Sequence, residues 1–144
     1  MKVKLSQKTI DKEFRHPTAF STICESLGRS EVDVIAIMKS YGRCSYLILV
    51  TEAGGWTYLE WIGADKCDIV DKSIPYNWIN NTWTPIRPFC KEDNRYDFDF
   101  RITKYVGPKC LLFDPDFLFN IIENPNEAIL FYNNSVQKEH QKDT

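Results

Sequence analysis

The chain has 144 residues, about one domain's worth, and at that length it can bury a core without metal or disulfide staples. Hydrophobic residues make up 43%, charged residues 26% and aromatic residues 14%, a composition that excludes general disorder. The net charge of −2 is unevenly spread: residues 1–50 carry +3, residues 51–100 carry −4 and residues 101–144 carry −1. No part has the basic excess that a phosphate-neutralising nucleic-acid binder needs, and the acidic middle would attract basic surfaces instead.

Five cysteines, at 24, 44, 67, 90 and 110, are odd in number and form no CxxC pair, which argues against a disulfide framework and a zinc site. They read as reduced thiols in a reducing compartment. The first residues hold no apolar run of signal-peptide length, and no stretch approaches the roughly 20 apolar residues of a membrane span. Cytoplasm is the expected location, with no membrane association.

In chain order, Leu5, Ile10 and Phe14 sit near helical spacing behind Ser6, predicting a helix over 6–15. Pro17 suits the first turn of a second helix, over 17–27, whose stripe is Phe20, Ile23, Cys24 and Leu27 and whose terminator is Gly28. Residues 31–39 are open to either reading; Ser30 could cap a helix, but Val32, Val34, Ile35 and Ile37 are β-branched and favour a strand. Ser45–Thr51 is apolar on both faces and should be a central strand. Ala53-Gly54-Gly55 is a hairpin turn and Trp56–Ile62 the returning strand, so 31–62 reads as a three-stranded antiparallel meander.

Residues 63–95, with Pro75, Pro85, Pro88, Asn80 and Asn81, read as a long loop with a helical turn near Tyr76–Asn81. Tyr96–Val106 alternates, with Phe98, Phe100 and Ile102 on one face and Asp97, Asp99, Arg101 and Thr103 on the other. Gly107-Pro108 should break that strand, and Lys109–Phe113 suggests another. Asp114-Pro115-Asp116 is a helix start, with Phe117, Leu118, Ile121 and Ile122 as the apolar face. Glu127–Tyr132 fits helix or strand, and residues 135–144 read as a polar, flexible tail. The whole predicts a single α+β domain over 1–134: an antiparallel sheet of four to five strands with the N- and C-terminal helices on one face.

Chemistry-bearing motifs are absent. The only histidines are His16, between two helices and read as a solvated cap, and His140 in the tail. No nucleophile elbow or phosphate loop occurs. No catalytic residue, cofactor or metal is therefore assigned, and no enzyme is expected. The acids Glu92, Asp93, Asp97 and Asp99 crowd within eight positions, and Asp97 with Asp99 on one strand face could in principle share a divalent cation. A solvated strand face and a partner-binding acidic patch are the other readings. All four tryptophans fall between 56 and 83; Trp78 and Trp83 sit in the polar stretch, where they either anchor an interface or cap the core.

Acids steer a basic partner in and aromatics anchor it. On Glu92, Asp93, Asp97 and Asp99 with Trp78 and Trp83, in a compact domain of this length, the chain resembles the immunity proteins of bacterial toxin systems, including contact-dependent growth inhibition. The resemblance implies a non-catalytic inhibitor that occludes the active site of a cognate toxin, such as a nuclease. The expected partner-binding residues are those six with Asp65 and Asp68. Two other classes remain at this stage: a small-ligand or regulatory module with a pocket bounded by Trp56, Trp61 or Trp78, and a metal-dependent hydrolase built on Asp97 and Asp99.

Overall fold

A computed structural model describes residues 1–40, 43–83, 103–114 and 116–142. Among the described residues, eight strands and four helices follow in the order β1 (Lys2–Leu5), α1 (Gln7–Arg15), α2 (Ser21–Leu27), β2 (Val32–Asp33), β3 (Ala36–Ser40), β4 (Arg43–Thr51), β5 (Thr57–Gly63), β6 (Cys67–Asp71), β7 (Trp78–Trp83), β8 (Thr103–Pro108), α3 (Phe117–Glu123) and α4 (Pro125–Lys142). The fold is α+β, with antiparallel pairing in two sheets: a three-stranded one in the order β2-β1-β6 and a five-stranded one in the order β5-β4-β3-β8-β7.

The expected meander is present as β3-β4-β5. The β-branched run before it is split, because Val32 pairs with Val3 in the small sheet while Ile37 pairs with Tyr46 in the large one. The hairpin between β4 and β5 turns at Gly55, whose φ of 85° lies where a side chain would be strained.

Strand β4 explains the architecture. Tyr46, Ile48 and Val50 point into one apolar cluster with Val3, Leu5, Ile23 and Leu27. Leu47, on the opposite face, joins Leu59, Tyr105, Phe117, Leu118 and Ile121 in a second cluster. A strand apolar on both faces must be covered on both, at about 1.5–3 kcal/mol for each large side chain removed from water. Helix α2 and the small sheet therefore cover one face, and α3 with α4 cover the other. The expectation of helices on a single face is corrected accordingly.

Helix α1 starts where expected: the Ser6 hydroxyl accepts the Thr9 N–H at 3.2 Å, and exposed His16 is the C-cap. Helix α2 begins at Ser21 rather than at Pro17, and Gly28 closes it through its N–H to the Cys24 carbonyl at 2.8 Å. A carboxylate clasps the turn between the two helices. Glu13 accepts the Thr18 N–H at 3.1 Å, the Thr18 hydroxyl at 2.9 Å and the Ser21 hydroxyl at 3.0 Å. Desolvation alone would raise the Glu13 pKa, but these bonds and the Lys66 charge bring it below the usual glutamate value. The clasp thus adds stability above the ordinary glutamate pKa, and that stability disappears as pH falls through the lowered one. Amide exchange at Thr18 should accelerate below that point in the wild type, and should be fast and pH-insensitive after Glu13→Ala once intrinsic exchange is corrected for.

Six expectations on local structure are corrected. Over its described part, 63–83, the expected loop is interrupted: a 3-10 turn at Ala64–Lys66 leads into β6, and β7 replaces the expected helical turn near 76–81; residues 84–95 of that loop and 96–102 of the expected strand lie outside the described residues. Strand β8 runs through Gly107 and Pro108, and Lys109–Leu112 is a 3-10 turn instead of a strand. Helix α3 starts at Phe117, two residues after the expected proline, with the Asp114 carboxylate closing the preceding turn on the Asp116 N–H at 2.9 Å. Helix α4, opening on Pro125, continues through residues 135–142, the stretch expected to be a flexible tail, and buries Ser135.

Candidate functional site

Of the residues expected to bind a partner, Glu92, Asp93, Asp97 and Asp99 lie outside the described residues. Trp78 is on β7, half-buried and packed against the cluster that includes Val3 and Ile48, so it serves the core rather than a loop anchor. Trp83 pairs through its backbone with Thr103 at the end of the same strand. Asp65 and Asp68 are exposed, as a docking role requires.

These two acids belong to a longer surface segment that the sequence reading did not assemble. Residues 52–76 supply β5, at the edge of the large sheet, and β6, at the edge of the small one, joined by the turn at Ala64–Lys66. The segment holds five carboxylates (Glu52, Glu60, Asp65, Asp68 and Asp71) and two lysines. It also exposes large apolar side chains: Trp56 on the hairpin, Ile69 and Val70 on β6, then Ile74 and Tyr76. Such an edge is costly to leave bare, because unpaired strand groups and apolar side chains invite other chains.

The electrostatics of the segment are graded along its length. Asp68 and Asp71 lie opposite Lys4 and Lys2 on β1, so their charge is partly offset within the sheet. The Asp71 carboxylate accepts the Ser73 N–H at 2.8 Å; hydrogen bonding from the Ser73 side chain first, then this bond and the charges of the N-terminus and Lys2, hold its pKa below the ordinary aspartate value. Lys66 does not neutralise the surface evenly, since its ammonium sits 4.0 Å from the Phe20 ring centroid. Burial pushes the Cys67 thiol up to about 11, with the negative charges of Asp65 and Asp68 adding to the shift. That thiol is a poor nucleophile at neutral pH.

Cys110 is equally inert. Burial first, and its hydrogen bond to Glu139 second, push it up to about 12. Cys24, Cys44, Cys67 and Cys110 are all free and partly buried. Among the described residues no group of three His, Cys, Asp or Glu side chains is placed to hold a metal ion, and no helix is long and apolar enough to cross a membrane.

A cleft of about 400 Å³ opens between α1 and α2, walled by Ile10, Phe14, Pro17 and Cys24. It is not bounded by Trp56, Trp61 or Trp78, the residues expected to line a ligand pocket. Trp61 packs into the cluster that includes Leu59 and Phe117. Comparison with protein-family models, curated proteins and solved structures finds no match.

Proposed function

We propose that the chain is a protein-binding module that docks onto a basic partner through the edge segment 52–76. The supporting observation is the coincidence, along the outer strands of both sheets and the turns that flank them, of five carboxylates with exposed Trp56, Ile69, Val70, Ile74 and Tyr76. Carboxylates accelerate encounter with a positive surface, and the apolar side chains hold the complex once water is expelled. The reading extends to an immunity-type inhibitor: a nuclease must present cations to receive phosphate, and a rigid acidic edge laid over them would block substrate without turnover.

Affinity capture from the source cell, run in parallel with wild type and Ile69→Lys, tests this. The expected catch is a protein of net positive charge that elutes with salt, is lost with Ile69→Lys, and cleaves nucleic acid until one equivalent of the wild-type chain is added. A catch insensitive to Ile69→Lys, or one without positive charge, contradicts docking through this edge. A basic catch without inhibited nuclease activity contradicts the immunity-type reading alone.

A further inference from the structure

Residues opposite one another in an antiparallel hairpin share a face. Val50 lies opposite Tyr58 and Ile48 opposite Glu60, and the Glu52 N–H donates to the Trp56 carbonyl at 2.9 Å. Glu52, Trp56, Tyr58 and Glu60 therefore stand on one face at the outer edge of the large sheet. The Trp56 and Tyr58 rings are 4.9 Å apart between centroids and tilted by 41°. Trp56 is 53% exposed, so one side of this pair faces solvent. The Tyr58 hydroxyl donates to Glu52 Oε1 at 3.2 Å, which aims the carboxylate beside the rings. Burial, that bond and the charges of Glu52 and Glu60 push Tyr58 up to about 12, so the phenol stays protonated and the local field is negative.

The same chemistry is already in use nearby. The Lys66 ammonium lies 4.0 Å from the Phe20 centroid; its charge helps to hold Glu13 below the usual glutamate value and offsets part of the rise that burial gives Glu60, whose pKa stays raised. There an internal cation completes a set of aromatic ring and carboxylates. At the hairpin the Trp56 ring is exposed and Glu52 beside it is partly exposed.

We propose that Trp56, Tyr58 and Glu52 form a binding site for a guanidinium group, an arginine side chain of the partner. A guanidinium is flat, so it can lie on the indole while its N–H fork reaches Glu52; it is also more weakly hydrated than an ammonium and loses less on leaving water. The inference rests on the basic-partner reading only for the source of the arginine.

The probe is N-acetyl-arginine amide, titrated into the whole chain while the Trp56 indole N–H is followed by NMR. The neutral citrulline analogue, of nearly the same shape, serves as the control. The expected result is a saturable shift with the arginine compound in the millimolar range, and no saturable shift with citrulline. Affinity should fall about five- to tenfold in Glu52→Gln, the equivalent of about 1 kcal/mol for a partly exposed cation–π and carboxylate contact. Equal responses to both compounds, an unchanged affinity in Glu52→Gln, or no saturable response would overturn the site. Retained capture of a basic protein without an arginine response removes the guanidinium site alone. An arginine response without such capture removes the wider reading alone.

Discussion

Phe117→Ala should be the most damaging single substitution in the described core. The side chain is completely buried between the large sheet and the C-terminal helices, with the Phe131 ring centroid 5.3 Å away at a tilt of 44°. Truncation removes the ring from contact with Leu59, Leu118 and their neighbours, and a rigid sheet on one side limits collapse into the space. The cost of such a change is about 3–5 kcal/mol. A chain of this size should then melt roughly 10–20 °C lower. Phe117→Leu, which refills most of the volume, should lose much less. Calorimetry on the two variants checks both the magnitude and its origin in the cavity.

Gly107→Ala should come next, for the opposite reason. A Cβ at Gly107 would stand 2.6 Å from the Tyr105 hydroxyl oxygen, 2.8 Å from its Cζ and 2.9 Å from the Ala36 Cβ. All three belong to a packed layer: Tyr105 and Ala36 are fully buried, and the Tyr105 hydroxyl is fixed by donating to the Pro108 carbonyl at 2.9 Å. The neighbours cannot swing aside, so the extra methyl must displace β8 from β3 or break that hydrogen bond. Overpacking of this kind costs about 1–3 kcal/mol. Tyr105→Phe, which removes the closest atom, should itself destabilise by about 1 kcal/mol through the lost hydrogen bond, yet cost less than that in the Gly107→Ala background. Strict additivity in denaturant titrations of the four proteins would contradict the proposed contact. Gly107 and Phe117 both lie away from the face bearing Trp56 and Tyr58, so these variants should alter stability and leave binding by the folded protein unchanged.

The parts of the fold legible in the sequence are those in which a local pattern and its tertiary role coincide. Tyr46–Val50 is apolar throughout and is buried except at Leu49; Ala53-Gly54-Gly55 demands a turn and makes one; Ser6 and Gly28 delimit their helices. The parts missed lack such coincidence. Strand β1 is four residues long, and its Leu5 fits a helical spacing with Ile10 equally well, although it is buried in the sheet. Strand β6 has no buried face: Asp68, Ile69, Val70 and Asp71 are all exposed, so alternation of apolar and polar residues has nothing to report. Only pairing with β1, more than sixty residues away, makes it a strand. Helix α4 was hidden because the buried or partly buried positions of its stripe include Ser135 and Glu139 beside Ala128 and Tyr132, and polar residues in the stripe weaken the apolar period.

The same distinction governs the candidate site. Asp65 and Asp68 were recognisable as surface acids from composition alone. Their union with Trp56, Ile69, Val70 and Tyr76 was not, since it depends on β5 and β6 both becoming sheet edges. A signal was nevertheless present: Ile69 and Val70 stand between Asp68 and Asp71, an arrangement that suits neither a clean core strand nor a wholly solvated loop.

The most direct measurement is the rate of association with the captured basic partner as a function of ionic strength, for wild type and for Asp65→Asn/Asp68→Asn. Electrostatic docking through segment 52–76 predicts that the wild-type rate falls about tenfold or more from low to high salt, and that the neutralised variant starts slower and falls less steeply. Identical rates for the two proteins at every ionic strength would contradict it.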